Sequence, residues 1–369
     1  MSFTAFDTAA MLRAVELARR GEGFVEPNPL VGAVVTSADD PTRIVGEGWH
    51  ARFGGHHAET VALAVAGDRA RGGTLYVTLE PCCHHGKTPP CTEAIVAAGI
   101  GRVVAATGDP NPLVAGKGFE RLAAAGIAVD VGAAEAAALR ITAPYRRLTI
   151  DGRPWVIAKW ASGPGGDLSS PPGRRWLSSE DSRALVHRLR GRVDAIVVGS
   201  GTAIDDDPSL TARPAGARIP LRVVIDGRGR LPTDGTLATT ASVVPLLVAT
   251  GPNADPTWIK TLRQGGAEVW IGPASSAGER LHALLGELGR RRCTNVLLEG
   301  GPTLLRGAFA AGVVDEAWVF ITDCPPTASG PDAAITDVAG LTIESAEVIG
   351  GDMLVRGRIG PPAADGGTA

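Results

Sequence analysis

His57-Ala58-Glu59-Thr60-Val61-Ala62-Leu63-Ala64-Val65-Ala66, then Thr74-Leu75-Tyr76-Val77-Thr78-Leu79, then Glu80-Pro81-Cys82-Cys83-His84-His85-Gly86-Lys87-Thr88-Pro89-Pro90-Cys91: these three runs decide the first half of the chain. The first is an alanine-rich apolar segment long enough for a helix, and the second is a short β-like run. Cys91 to Ala98 resumes helical character after the double proline. A helix, a strand and a helix in so short a span predict crossover connections on a sheet. The same runs place a histidine, a glutamate and three cysteines at helix starts and strand ends, where α/β proteins keep their chemistry.

Working outward, Met11, Leu12, Val15 and Leu17-Ala18 recur at helical spacing within Thr8 to Arg20, and Gly21 and Gly23 stop that helix. Pro27-Asn28-Pro29 follows. Leu30 to Thr36 and Arg43 to Trp49 then read as a hairpin across the polar Ser37 to Pro41 turn. Downstream, strands are predicted at Arg102 to Thr107 and Ile127 to Val131, with helices at Gly118 to Ala125 and Ala133 to about Tyr145. This alternation predicts a largely parallel sheet covered on both faces. Asp151-Gly152-Arg153-Pro154 is a breaker cluster suited to a domain boundary.

A second α/β series begins there, with strands at Trp155 to Trp160, Ala195 to Val198, Arg222 to Ile225, Val243 to Ala249, Ala267 to Ile271, Asn295 to Leu298 and Glu316 to Ile321. Helices are predicted near Ser179 to Arg190, Thr257 to Gln264, Gly278 to Gly289 and Pro302 to Ala311. Leu341 to Ile349 and Met353 to Ile359 close the chain as a hairpin. The expected organisation is two three-layer α/β/α domains, residues 1–150 and 151–361, with a flexible tail over 362–369.

The 369 residues carry a net charge of -3, so there is no basic footprint for nucleic acid, and aromatics at 4% leave no stacking platform. No apolar run approaches the ~20 residues that span a bilayer, and the N-terminus lacks the unbroken apolar stretch of a signal peptide. A cytoplasmic enzyme acting on a small molecule is the expectation. Three of the five cysteines lie within ten residues, which points to a metal site and away from a disulfide framework.

Catalytic zinc takes three protein ligands and leaves a fourth position to water. His57, Cys82 and Cys91 form such a set. Cys91 at a first helical turn is placed where free N–H groups favour a thiolate. Cys83 offers a competing sulfur, but a residue directly after a strand-end ligand points away. His-x-Glu with Pro-Cys and a further Cys is the zinc-deaminase signature, in which Glu59 shuttles protons. Residues at i and i+2 do not share a helix face, so Glu59 reaches the metal only if both it and His57 lie in the first turn.

With Pro27-Asn28-Pro29-Leu30-Val31-Gly32 before it and Asp109-Pro110-Asn111-Pro112 after it, the ligand stretch resembles the bifunctional riboflavin-biosynthesis deaminase/reductase family. Ordinary nucleoside deaminases have a tight Cys-x-x-Cys, whereas the longer loop with His84, His85 and Lys87 suits a phosphorylated substrate. The resemblance implies a cytidine-deaminase-like N-terminal domain. Its substrate would be a phosphoribosylamino-diaminopyrimidinone, contacted by Asn28, His50, His84, Lys87 and Asn111, with Lys87 on the phosphate.

In the second half no Gly-x-Gly-x-x-Gly follows a strand, but Gly199-Ser200-Gly201-Thr202 and Glu299-Gly300-Gly301-Pro302-Thr303 each do. The latter opens a helix whose free N–H groups suit a nucleotide phosphate. This half resembles the reductase domain of the same family, which implies a dihydrofolate-reductase-like fold, NADPH as cofactor and reduction of ribosyl to ribityl. By that resemblance Arg190, Leu210, Arg213 and Glu299 meet the substrate, while Trp176, Thr202, Asp206 and the Gly301 to Gly307 turn, with Pro302 and Thr303, meet NADPH. Lys159 is the expected proton donor. The family also implies a homo-oligomer joined through the reductase domains. One stretch departs from the pattern: Ser162 to Arg175 is rich in glycine and proline and has Arg174 where a small hydroxyl is expected. That leaves open a second reading, a deaminase whose impaired reductase-like half serves oligomerisation.

Overall fold

The protein is described from a computed structural model, which covers residues 3–85, 89–163, 168, 176–273, 275–323 and 340–360. The chain divides into two compact units, Met1–Gly152 and Arg153–Ala369. Among the described residues, no helix is long and apolar enough to cross a membrane.

The N-terminal unit runs α1 (Ala5–Ala18), β1 (Gly32–Thr36), β2 (Ile44–Trp49), α2 (Ala58–Ala66), β3 (Thr74–Val77), α3 (Cys91–Ala97), β4 (Arg102–Ala105), α4 (Lys117–Ala124), β5 (Ala128–Val131) and α5 (Glu135–Asp151). Its sheet has the order β2-β1-β3-β4-β5. Side-chain alternation builds the layers. Val35, Leu75, Val77 and Val103 pack under Ala62, Ile95 and Leu122 of α2, α3 and α4. Val34, Tyr76 and Val104, one residue out of phase, pack against Met11, Ala14 and Ala138 of α1 and α5 on the other face.

The expectation of a largely parallel sheet needs correction in this unit: β1 is antiparallel to both β2 and β3, and only β3-β4 and β4-β5 are parallel. The hairpin leaves β2 at the edge and β1 inside the sheet, and β3 pairs with the other side of β1 in the opposite direction. A second correction concerns α5, which continues past Tyr145 to Asp151 despite Pro144. Burial of Ile141, Thr142 and Ala143 holds the helix through the missing N–H, and Gly152, at φ +67°, ends it. The breaker cluster is therefore the cap of that helix.

The C-terminal unit runs β6 (Trp155–Ser162), α6 (Glu180–Arg190), β7 (Ala195–Gly199), α7 (Ser200–Asp205), β8 (Leu221–Ile225), α8 (Thr236–Thr239), β9 (Leu246–Thr250), α9 (Pro256–Gln264), β10 (Glu268–Ile271), α10 (Ala277–Arg290), β11 (Asn295–Glu299), α11 (Pro302–Ala310), β12 (Glu316–Ile321), β13 (Leu341–Ile349) and β14 (Asp352–Ile359). The sheet order is β10-β9-β8-β7-β11-β6-β12-β14-β13, parallel except where β14 meets β12 and β13. Leu281, Leu284, Leu288 and Leu305 of α10 and α11 cover one face. Val186 of α6 meets Phe320 and Leu354 on the other. The short helices α7 and α8 were not expected, and Val243 and Val244 belong to a turn on Thr240 O, so β9 starts only at Leu246. The tail over 362–369 lies outside the described residues.

Candidate active sites

His57 is the N-cap of α2, in extended conformation, and Cys91 is the first residue of α3, so two helix starts converge on one point. Cys82 arrives from the end of β3. Its carbonyl accepts from Thr92 N at 3.2 Å and its sulfur from Cys91 N at 3.3 Å, which locks the strand exit onto the start of α3. His57 Nδ1 lies 3.2 Å from Cys91 Sγ and 3.5 Å from Cys82 Sγ, and the three ligand atoms are all within 4.8 Å of one another. Cys83 turns away, its sulfur on Leu113 O at 3.8 Å. One imidazole nitrogen and two sulfurs fit three-ligand zinc coordination with a position left for water.

The electrostatics agree. Hydrogen bonds from Cys91 and His57 push the Cys82 thiol down to about 4, against the opposing effect of burial, while Cys91, the donor of the pair, is pushed up. The hydrogen bond to Cys82 raises His57. Glu59 is 3% exposed and lies in the first turn of α2. Burial raises its carboxyl, and a hydrogen bond with Cys91 works against that rise. Of the pair expected in the first turn, Glu59 lies there and His57 directly before it, at the N-cap.

His50 and Asn28 are neighbours of this cluster. His50 Nδ1 is 2.9 Å from His56 O, so that nitrogen carries the proton, and its Nε2 accepts from Asn28 Nδ2 at 3.2 Å. The His50 and His57 rings meet edge to face at 5.3 Å, and burial lowers the His50 pKa. His84 keeps a buried Nδ1 without a partner among the described residues. Asn111 Oδ1 accepts from Leu113 N, the turn geometry of an asparagine capping its own loop. Lys87 lies outside the described residues. Sequence reasoning gave Glu80 no role, yet its buried carboxylate accepts from Asp109 N at 3.2 Å, Gly116 N at 2.9 Å and Gly118 N at 2.9 Å. It ties the ligand loop to the loop carrying Asn111. Its place directly before Pro81-Cys82 was the available signal.

In the C-terminal unit Glu299, at the end of β11, is in register with Lys159 on β6 and forms a bidentate ion pair with Arg190 of α6 at 2.6 and 2.9 Å. Burial lowers the Lys159 pKa, which Glu299 partly restores. For Glu299 burial acts upward, but Arg190 outweighs it and the carboxyl stays low. His187, one turn before Arg190, is the residue missed here. Its Nδ1 lies 3.1 Å from Thr211 O, and burial and then the charge of Arg190 lower it. The helical i, i+3 spacing to Arg190 would have found it. Leu210 is 2% exposed with φ +49°, a strained conformation for leucine, and Arg213 donates to Ser209 Oγ at 2.9 Å.

The two glycine turns meet: Gly301 N donates to Thr202 Oγ1 at 3.2 Å. They open a cavity of about 530 Å³ at the carboxyl ends of the parallel strands, lined by Thr202, Asp206, Gly301, Pro302 and Thr303 among others. Trp176 is not part of that lining; it is 52% exposed beneath the Arg183 guanidinium. Of the altered loop, residues 164–167 and 169–175 lie outside the described residues.

Known proteins resemble this chain in sequence and fold. The cytidine and deoxycytidylate deaminase zinc-binding region matches residues 4–107, and the RibD C-terminal domain matches residues 154–331. Riboflavin biosynthesis protein RibD of Aquifex aeolicus is 38% identical over 340 residues, covering 92% of each chain, and its Escherichia coli counterpart is 36% identical over 341 residues, covering 89% of each. The solved structure of Acinetobacter baumannii RibD superposes with a TM-score of 0.82 at 32% identity, covering 96% of this chain and 99% of that one. A Thermotoga maritima structure, described as a diaminohydroxyphosphoribosylaminopyrimidine deaminase/5-amino-6-(5-phosphoribosylamino)uracil reductase, matches at a TM-score of 0.80 and 32% identity with the same coverage. Likeness over nearly the whole length of both partners, in sequence and in structure, means that the chain belongs to the RibD family of riboflavin biosynthesis proteins.

Proposed function

We propose that the chain catalyses two consecutive steps of riboflavin biosynthesis. The N-terminal unit hydrolyses the 2-amino group from 2,5-diamino-6-(5-phosphoribosylamino)pyrimidin-4(3H)-one, and the C-terminal unit reduces the ribosyl group of the product to ribityl with NADPH. The observation that carries the first step is the convergence of His57, Cys82 and Cys91 within 4.8 Å, with Glu59 buried against Cys91.

His57, Cys82 and Cys91 would hold a zinc ion, whose chemistry there would be to acidify a water toward neutral pH. Glu59, whose carboxyl burial makes easier to protonate, carries the proton from water to the departing ammonia. His50 fixes Asn28 through its Nε2, so that the carboxamide is presented to the pyrimidine in one orientation. The unpartnered His84 Nδ1 supports a further substrate contact, and Lys87 is assigned to the phosphate. Asn111 acts through the shape of its loop as well as by any contact with substrate.

In the second step NADPH would supply the hydride. Thr202, Asp206, Gly301, Pro302 and Thr303 hold the cofactor, Trp176 is assigned to it by the family resemblance alone, and Lys159 donates the proton. Burial weakens the hold of Lys159 on that proton, which suits a donor. Arg190, Glu299, Leu210 and Arg213 hold the phosphoribosyl group, the ion pair orienting both side chains. A second half serving only oligomerisation is disfavoured, because the RibD C-terminal domain match is joined by an open cavity and an intact Lys159-Arg190-Glu299 cluster. Assembly through the reductase units and residence in the cytoplasm complete the reading.

Glu59→Gln is expected to retain zinc and lose ammonia release by about 10²- to 10⁴-fold, the scale of general acid–base catalysis. Lys159→Met should do the same to NADPH oxidation with the deaminated intermediate and leave ammonia release intact. Unchanged turnover in either variant overturns that residue's role.

A further inference from the structure

We infer that His187 is a positioning residue of the reductase: its imidazole holds the stretch carrying Leu210 and Arg213 in the shape that meets the phosphoribosyl group. The inference rests on the reductase reading above and deepens it, because it concerns what keeps the substrate-facing residues in place.

Residues 206–220 run from α7 to β8 without helix or strand. Within them Asp207 and Leu210 stand at φ +39° and +49°, a left-handed region that strains any residue with a Cβ. Such conformations persist only where the surroundings impose them. The backbone of the stretch does not impose them itself: among the described residues, 207–217 make no backbone-to-backbone hydrogen bond. Inside the stretch Ser209 Oγ and Thr211 Oγ1 lie 3.3 Å apart and Arg213 donates to Ser209 Oγ, contacts that stay within it. Two side-chain ties bind it to the rest of the unit. The Asp207 carboxylate accepts from Thr236 N at 2.7 Å and from Thr236 Oγ1 at 2.6 Å, which fixes the first strained residue. His187 Nδ1, 3.1 Å from Thr211 O, fixes the backbone directly after the second.

The imidazole suits this task. Burial and then the charge of Arg190 lower its pKa, so the ring is neutral and has a single N–H, which the carbonyl of Thr211 takes at Nδ1. The helix that carries it is a firm frame for the stretch. A Cβ on Gly191, at the end of α6, would lie 2.7 Å from Gly216 Cα, and one on Gly216 would lie 2.4 Å from Gly191 Cα. Arg218 N also donates to Gly191 O at 3.0 Å. The two backbones therefore touch, and the hydrogen bond of His187 sets the stretch a few residues before that contact. From one helix, Arg190 is assigned to the substrate directly, paired with Glu299, while His187 holds the backbone bearing two further assigned contacts.

The test is steady-state NADPH oxidation by the full-length chain with the deaminated intermediate, in His187→Leu, His187→Asn and His187→Gln. Asparagine offers an amide N–H near the place of Nδ1, and glutamine offers one near the place of Nε2. His187→Leu should raise KM for the intermediate by about tenfold, the scale of one hydrogen bond, and keep kcat and the KM for NADPH within about threefold. Ammonia release by the same protein should not change. His187→Asn should return KM to within about threefold of the wild type, and His187→Gln should not. An unchanged KM in His187→Leu, or equal KM in the asparagine and glutamine variants, overturns the inference. So does a joint loss of kcat and of NADPH affinity, which would mean that α6 as a whole has shifted and that His187 is merely structural. Where His187→Leu fails to fold, the comparison of asparagine with glutamine decides. A wild-type chain that oxidises no NADPH with the intermediate removes the reductase reading itself, and this inference with it.

Discussion

Asp7 shows how single residues set stability in this chain. It caps α1 through Thr4, accepts from Tyr76 Oη at 2.9 Å on β3, and pairs with Arg102 at 2.8 Å on β4. Burial alone would raise its carboxyl, but the bonds from Thr4, Arg102 and Tyr76 prevail and hold it at about 2 against an ordinary 3.8. The folded chain thus binds this proton less tightly than the unfolded chain. The ionised group stabilises the fold at pH values above about 4, and its contribution is lost as pH falls from about 4 to about 2. A shift of that size corresponds to about 2 kcal/mol. Asp7→Asn should lower hydrogen-exchange protection of the α1 and β3 amides by that amount at pH 7, and the gap to the wild type should narrow at pH 3. A gap independent of pH would mean that shape, not charge, is what Asp7 contributes. None of this was legible in the sequence, because Asp7 meets Tyr76 across 69 residues and Arg102 across 95. The candidate metal ligands, which the structure brings within 4.8 Å of one another, were legible because His, Cys and Cys in this order have few uses besides metal binding.

At the level of elements, the placement of α2 decides whether His57 and Glu59 reach the thiols. A Cβ on Gly48 would lie 2.5 Å from both Ala58 O and Ala62 N, and one on Gly46 would lie 2.2 Å from Ala62 O. The bare backbone of β2 is therefore the seat of α2. The sequence showed a strand with two glycines but not what they make room for, since close approach is a property of the packed pair. Gly48→Val should push the first turn of α2 off the strand and move the His57 nitrogen and the Glu59 carboxyl away from Cys82 and Cys91. The expected result is zinc content well below one per chain and ammonia release lower by at least about tenfold, a loss in line with an ångström-scale misplacement. Full zinc occupancy in a folded Gly48→Val protein would show that the helix tolerates the shift. The same limit explains α7 and α8, which are too short to produce a readable period, whereas the glycine turns flanking α7 and α11 were visible because each interrupts an apolar strand exit.

At the scale of the whole molecule, the two chemistries use disjoint sets of residues. The His57-Cys82-Cys91 cluster and Glu59 lie within residues 1–152, and every described residue lining the C-terminal cavity lies in the C-terminal unit. The alternation of strands and helices predicted two α/β units and the breaker at 151–154; what it could not give was strand order, which depends on pairings between segments distant in sequence. The division of labour has a direct consequence for metal removal. A chelator that strips zinc would take away the cation that α2, the β3 exit and α3 are proposed to share, so ammonia release should fall to background and local protection around Cys82 and Cys91 should drop. NADPH-dependent reduction of the deaminated intermediate should stay within about twofold, because no residue of the Lys159-Arg190-Glu299 cluster or of the cavity is a metal ligand. Returning zinc should restore the first activity without altering the second. A reduction rate that collapses with the metal would mean that the reductase depends on the order of the deaminase unit, and that the two sites are coupled through the fold.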